Sequence, residues 1–405
     1  MKICIFTETY YPVMGGGETQ AKLLAEGLIA NGHSVIVLTR RSDASLKKHE
    51  RYGKVDVYRL APVGSGQLKK WGLLFSSLPM LVRLRSQYDL IFVSGYRIIG
   101  PTAVLVGKLL GRRVVLKADS QGEMSGDFFE SGLRKFGIAH KPLLFRWFLG
   151  LRNTILEKAD AFSAISSEIA SECTSNGILF EKICLIPNSV DTSRFVPVKS
   201  GEKIALRQKL NLPQNRTIAI YTGRLVSYKG LPLLLKVWDE IRQKHENILL
   251  ILSGTGGLDI HNCEDVLKEY VRVHGLENHV LFTGAVQNVP EYLQASDFFA
   301  FPTENDAFPS SIVEAMACGL PVVSTPVGAI KTIITNGKTG LLIQPGNAEQ
   351  LFQALDVMLS DKEMASRLGK AACQSVQDLY SAEIVSRKYQ TLFQGLIERI
   401  DAKIG

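Results

Sequence analysis

The chain has 405 residues, 46% hydrophobic and 21% charged, with 35 Gly and 15 Pro. This is ordinary globular usage at a length of two or three domains, and it excludes collagenous and low-complexity chains. Lys and Arg exceed Asp and Glu by 47 − 39 = 8. That excess suits anionic partners, but it is not the dense basic stripe of a nucleic-acid binder, so no nucleic-acid partner is expected.

Met1-Lys2 runs straight into the apolar Ile3-Cys4-Ile5-Phe6 with no small-residue cleavage site behind it, so a signal peptide is not expected. No uninterrupted apolar run approaches the roughly 18 residues of a spanning helix. The expectation is a cytoplasmic protein with a surface able to rest on the inner face of the membrane. Cysteines at 4, 173, 184, 263, 318 and 373 form no C-x-x-C pair and read as buried thiols.

In chain order, strands are expected at 2–6, 34–39, 54–60, 89–94, 113–118, 160–165 and 182–186. The runs are β-branched or Leu-rich without alternation, as in strands buried on both faces. Between them lie helical patterns. In 18–30, Ala21, Leu24, Ala25 and Leu28 follow i, i+3, i+4, i+7, and Asn31-Gly32 supplies a stop. Residues 187–200 carry two prolines and no periodicity and read as a linker. The alternation restarts with strands at 217–222, 247–253, 279–284, 297–301, 321–324 and 339–343, and about 347–402 is mostly helical. The pattern predicts two doubly wound α/β domains facing one another, with ligands beyond the C-terminal ends of the strands in a shared cleft.

Three segments suit phosphate and sugar chemistry. Gly15-Gly16-Gly17 follows the first strand and precedes a helix. It reads either as a loop whose amides approach an anion or as a flexible connection. The spacing is not G-x-G-x-x-G, and strand two ends in Thr39-Arg40-Arg41 rather than an acid for a ribose. Gly223-Arg224 and Lys229-Gly230 place two cations five residues apart across a turn. They either converge on a diphosphate or stand solvated. In 301–324 a strand leads into a loop with Glu304 and Asp306, then a helix from near Ser310 with Glu314 one turn in. Its N-terminus offers amides and a positive dipole end, and a carboxylate accepts sugar hydroxyls. A plain helix-surface acid fits Glu314 equally.

Asp306-Ala307-Phe308-Pro309-Ser310-Ser311-Ile312-Val313-Glu314 resembles the E-x7-E segment of retaining, nucleotide-sugar-dependent glycosyltransferases of family 4. Gly223-Arg224-Leu225 with Lys229-Gly230 is similar to that family's diphosphate-binding pair. Pro187-Asn188-Ser189-Val190-Asp191 with Phe195 is similar to its N-G-V-D-x-x-x-F signature. The Gly15–Gly17 loop matches too, and the motifs keep the family's order. The resemblance implies the GT-B fold: an acceptor-binding domain of 1–190 plus the crossover helix 380–405, and a donor-binding domain of 191–379. It implies that Arg224 and Lys229 hold the donor diphosphate and that Glu314 holds the ribose. Asp306, with the amides of Ala307, Phe308, Ser310 and Ser311, would hold the transferred sugar and distal phosphate. Gly16 and Gly17 would approach from the other domain.

Three departures stand out. The first carboxylate is Asp306, one methylene short; Pro309 replaces a common Gly and removes a donor; and Asp119 stands where the family usually has a His near the reacting carbon. Asp119 is expected to bond a sugar hydroxyl or take a proton, a loop-capping role being the alternative. No D-x-D occurs, which suits a metal-independent donor site without a cofactor.

Residues 68–85 and 132–152 hold four and five cations without an acid, among Trp, Phe and Leu. They read as an interfacial surface for an anionic membrane and a lipid-linked or glycan acceptor, or as packed helices with snorkelling cations. The acid- and turn-rich 119–127 is either an acceptor contact or a solvent loop. The predicted activity is retaining hexosyl transfer in cell-surface polysaccharide or glycolipid synthesis. A catalytically weak sugar-nucleotide binder and an NAD-dependent oxidoreductase are the alternatives.

Overall fold

A computed structural model describes residues 1–13, 15–64, 66–127 and 143–404. The chain divides into two compact units, Met1–Asn188 with Ala382–Gly405, and Ser189–Ser381. Among the described residues, no helix is long and apolar enough to cross a membrane. Residues 132–142 of the second basic stretch lie outside the described residues.

The first unit runs β1 (Lys2–Thr7), α1 (Gly16–Ala30), β2 (Ser34–Arg40), β3 (His49–Tyr52), β4 (Val55–Leu60), α2 (Gln67–Arg83) and β5 (Leu90–Ser94). It continues α3 (Tyr96–Leu109), β6 (Arg113–Lys117), α4 (Leu143–Leu156), β7 (Ala161–Ala164), α5 (Ser167–Ser175) and β8 (Ile183–Leu185). The sheet order is β3-β4-β2-β1-β5-β6-β7-β8. All neighbours are parallel except β3 against β4. β5 and β7 are buried at every position, as their continuous apolar runs require. The order reverses direction between β1 and β5, the place where doubly wound sheets bind ligands.

β3 is the one strand of this unit that the sequence pattern did not announce. Its four residues, His-Glu-Arg-Tyr, are polar and alternate between exposed and half-buried. An edge strand of this kind carries no apolar run to find.

The last helix, α14 (Ala382–Ile404), packs on α1. Tyr389 and Phe393 enter the core beside Phe92, with ring centroids 5.1 and 5.7 Å away. The Tyr389 hydroxyl meets Ser163 Oγ at 2.8 Å. A Cβ on Gly27 would stand 2.6 Å from the Ser386 side chain, so the absence of a side chain there sets the helix spacing.

The second unit runs α6 (Ser200–Lys209), β9 (Thr217–Thr222), α7 (Leu231–Ile241), β10 (Ile248–Ser253), α8 (Glu264–Val273), β11 (Val280–Gly284), α9 (Val289–Ala295) and β12 (Phe298–Phe301). It ends α10 (Ser310–Ala317), β13 (Val322–Ser324), α11 (Ile330–Ile333), β14 (Gly340–Leu342), α12 (Ala348–Ser360) and α13 (Lys362–Leu379). The sheet order is β11-β10-β9-β12-β13-β14, all parallel. Both units are therefore Rossmann-like.

The expected linker is more ordered than its composition suggests. Val190 bridges to Ser381. Asp191 Oδ1 accepts from the Ser193 and Arg194 amides at 3.0 and 3.3 Å. Phe195 is buried. The six cysteines are free; Cys4, Cys173, Cys263 and Cys318 are buried as expected, whereas Cys184 and Cys373 are half-buried.

Phe393 is fully buried, and truncating such a ring costs about 3–5 kcal/mol. Phe393→Ala should shift the urea transition of the first unit by that order. An unchanged transition would mean that α14 does not stabilise this core.

Candidate active site

In the second unit the central strands β9 and β12 lie side by side, so the loops after them share one edge of the sheet. Gly230 joins these loops. Its φ of +71° is open to glycine, and a Cβ there would collide with the Pro302 carbonyl oxygen. This approach carries Lys229 inward, to 2.6 Å from Asp306 Oδ2 and 3.0 Å from the Asn305 carbonyl. The Lys229 ammonium lies 5.0 Å from the Tyr228 ring centroid and 5.5 Å from that of Phe301. Burial lowers its pKa, while Asp306 works the other way.

Arg224 also lies by Tyr228, 6.0 Å from its ring centroid. Its side chain is 59% exposed and paired with Asp259, and Nη2 donates to the Tyr228 hydroxyl at 2.7 Å. The two sequence-predicted cations thus flank one tyrosine, Lys229 held rigidly and Arg224 as an open arm. Their own mutual repulsion contributes to the lowering at Lys229.

α10 begins next to this pair. Its N-cap is Pro309, with no side-chain cap and no acid in the first turn. The amides of Ala307, Ser310 and Ser311 have no partner among the described residues. The Phe308 amide is different from the expectation. It donates to Asp306 Oδ1 at 3.1 Å, so the aspartate spends one oxygen on its own turn and the other on Lys229. The shorter side chain makes this local closure natural. The Phe308 ring is buried, 6.1 Å from that of Tyr380. Glu314 is half-buried; its carbonyl accepts from the Cys318 amide at 3.1 Å, while its carboxyl makes no side-chain hydrogen bond among the described residues. Burial pushes its carboxyl up to about 7, with Arg194 opposing.

In the first unit, Asp119 follows β6 and pairs with the buried Lys117. Ser94 Oγ donates to Asp119 Oδ2 at 3.1 Å. Cβ atoms on Gly17 and Gly95 would stand 3.3 and 3.1 Å from the same oxygen, whereas one on Gly16 meets nothing. Gly17 is therefore small because Asp119 lies against it. Gly16 borders open space.

The 119–127 segment is not a solvent loop. Glu172 on α5 accepts from the amides of Gly122, Met124 and Ser125 at 2.7, 2.9 and 2.9 Å. Arg152 on α4 donates to the carbonyls of Glu123 and Met124 at 2.7 and 2.8 Å. Glu123, only 1% exposed, accepts from the Asp119 amide at 3.0 Å. Burial lifts its carboxyl to about 7, against the pull of Arg97.

Residues 14–194 match Glycosyltransferase Family 4, and residues 202–375 match Glycosyl transferases group 1. An uncharacterised glycosyltransferase of Methanocaldococcus jannaschii is 24% identical over 405 residues, spanning 98% of this chain and 99% of its own. Sucrose-phosphate synthase from Thermosynechococcus elongatus superposes with a TM-score of 0.77 at 22% identity, over 98% of this chain and 100% of that one. Anabaena HepE in complex with UDP-glucose superposes with a TM-score of 0.74 at 18% identity, over 98% and 100%. The chain belongs to the family 4 glycosyltransferases. Its fold is GT-B, and the oxidoreductase alternative falls.

For a family 4 glycosyltransferase the second-unit arrangement is coherent: cations and free amides at one sheet edge, with a carboxylate one turn into the helix. The sequence reading missed Tyr228 and Asp259 around Arg224, and the roles of Glu8, Arg152 and Glu172 in the first unit; Glu123 lay in the acid-rich 119–127 segment that it singled out. Arg152 was counted among interfacial cations, but it is 3% exposed and binds carbonyls. Only Glu8, directly after the first strand, stood where the sequence alone offers a signal.

Folding raises the Glu314 pKa, so its contribution favours the folded state most at low pH and is lost as pH rises through about 7. Glu314→Gln should melt near the wild-type temperature at about pH 5 and above it at about pH 8. Melting curves with the same pH dependence in both proteins would refute this.

Proposed function

We propose that this glycosyltransferase moves a hexose from a nucleoside-diphosphate sugar to a glycan or lipid-linked acceptor, with retention of configuration and without a metal. The observation that carries the reading is the Arg224–Tyr228–Lys229 cluster beside the uncapped start of α10. A leaving diphosphate gathers negative charge as the glycosidic bond breaks. Fixed cations and amides at that edge would stabilise it more in the transition state than before it.

In this reading Lys229 is the fixed charge and Arg224 the fork that closes on the diphosphate. The amides of Ala307, Ser310 and Ser311 take the distal phosphate with the helix dipole behind them. The half-buried Glu314 accepts the vicinal ribose hydroxyls. Asp306 orients Lys229 and meets the sugar, and Asp119 in the first unit receives a sugar hydroxyl. The acceptor proton leaves with the diphosphate on the same face, so no protein nucleophile is required. UDP-glucose in the HepE structure supports a nucleoside-diphosphate hexose as donor. Lys229 and Arg224 would supply the charge that a metal would otherwise bring.

The acceptor is proposed to meet the enzyme at an anionic membrane surface in the cytoplasm. α2 exposes Phe75 and Leu78, and α4 exposes Trp147 and Leu151. The two helices touch through Trp71 and Phe148, ring centroids 5.9 Å apart. Lys69, Arg83, Arg85 and Arg146 are exposed on the same helices or just beyond them. Apolar side chains among cations are the composition of an interfacial surface.

Two measurements test these readings. Across UDP, GDP and ADP sugars, one donor should be turned over with EDTA present and give product of retained anomeric configuration by NMR. Arg224→Ala and Lys229→Ala should each lower kcat about 10²–10³-fold. Loss of turnover on metal removal, or inverted product, would overturn the mechanism. In flotation with anionic vesicles, the protein should rise at low salt and sink as salt increases. No flotation at low salt would remove the membrane from the proposal.

A further inference from the structure

The loop between β10 and α8 turns an acid inward and leaves its apolar neighbours outside. Leu258 and Ile260 are exposed, while the side chain of Asp259 between them is 18% exposed. A carboxylate drawn partly out of water needs partners. Oδ1 accepts from the His261 amide at 3.0 Å, and Oδ2 pairs with Arg224 Nη1. The backbone around it is closed as well. The Asp259 amide donates to the Gly256 carbonyl at 3.4 Å, and the Asn262 amide donates to the Asp259 carbonyl at 3.1 Å. The loop is pinned in turn to the segment after β9. The Ser227 amide donates to the His261 carbonyl at 2.9 Å, and the Cys263 amide to the Leu225 carbonyl at 3.0 Å. The carboxylate thus belongs to a fixed frame.

Arg224 is the movable partner. The Tyr221 hydroxyl holds its carbonyl at 2.7 Å, but its side chain is 59% exposed and hangs on a long, rotatable stem. Under the donor reading this guanidinium has two anions to choose between, Asp259 and the ligand diphosphate. The ligand's charge changes during the reaction. When the sugar leaves, the terminal phosphate gains an ionisable oxygen, so the nucleoside diphosphate carries about one more negative charge than the donor above about pH 6. Lys229, Arg224 and the free amides would hold that product more tightly than the donor and delay its departure. A fixed carboxylate beside Arg224 gives the fork another partner when the product must go.

We propose that Asp259 is a release residue: a resident counter-anion that takes Arg224 back from the nucleoside diphosphate product. The proposal rests on the reading of Arg224 as the fork that closes on the diphosphate. Asp259 is a positioning residue, acting through Arg224. Its charge sets how firmly the diphosphate is held and how fast it leaves.

The test titrates UDP, GDP and ADP into the full-length protein by calorimetry at low salt, where exposed charges are least screened. Asp259→Asn keeps an oxygen for the His261 amide and removes the charge. It should bind the preferred diphosphate about three- to fivefold more tightly than wild type, the scale of one exposed ion pair. Its dissociation in stopped flow should slow by a similar factor. In an Arg224→Ala background, adding Asp259→Asn should leave the affinity unchanged, because the partner it acts through is gone. A purely structural role for Asp259 predicts the opposite: weaker binding in Asp259→Asn, by the same factor with or without Arg224. That result, or equal affinity in wild type and Asp259→Asn, overturns the proposal. If wild type binds none of the three diphosphates, or Arg224→Ala binds them as wild type does, the donor reading itself fails and takes this proposal with it.

Discussion

An ammonium taken out of water must find a counter-charge, because its desolvation costs several kcal/mol. Much of the second unit's loop architecture answers that requirement at Lys229. Gly230 lets two loops touch backbone to backbone, and Asn305 and Asp306 arrive together at the ammonium. Asp306 is itself aimed by the Phe308 amide. That bond fixes the turn leading into α10 and so the direction in which the helix presents its free amides. The start of α10 and the position of Lys229 are one constraint seen from two sides. A longer acid at position 306 would have to fold back to make both contacts, so the shortening relative to the family pattern reads as a local fit, not a defect.

The first unit solves a similar problem with more carboxylates. Asp119 neutralises Lys117, Glu172 gathers three amides, and Arg152 collects two carbonyls of the same segment. The segment has no regular secondary structure to satisfy its backbone, so the half-buried Glu172 and the buried Arg152 take that role. The consequence is a stiff wall beneath Asp119. Its cost appears in Glu123, whose proton is retained to about 7 because water is excluded and Asp119 adds repulsion to the burial.

The two parallel sheets were legible because strands buried on both faces announce themselves as apolar runs, and each expected run became a strand. The motif residues Arg224, Lys229, Asp306 and Glu314 were legible as a set because the chain brings them to one sheet edge from short, ordered loops. What stayed hidden has a common cause. β3 is polar and short, so it has no periodicity to read. Glu172 bonds amides 47 to 50 residues away, and Arg152 bonds carbonyls 28 and 29 residues away. A charged side chain in a basic, aromatic stretch looks like surface until the tertiary fold shows it facing inward. The Phe308 amide was counted as available because a sequence lists donors but not the local acceptor that claims one of them.

The contrast between Arg224 and Lys229 carries the mechanism furthest. Equal exposure would have made them interchangeable charges. Instead Lys229 is held by Asp306 and the Asn305 carbonyl without any ligand, so under the proposed reading it would give up little entropy on binding and offer a fixed point for charge to develop against. Arg224 is 59% exposed and tethered through Asp259 and the Tyr228 hydroxyl. Under the proposed donor reading, a diphosphate would compete with Asp259 for that fork, which would weaken ground-state binding. Under that reading Asp259 is the protein's own anion, a placeholder for the donor's charge. Selectivity then falls to ligands whose charge and geometry do better than the resident carboxylate.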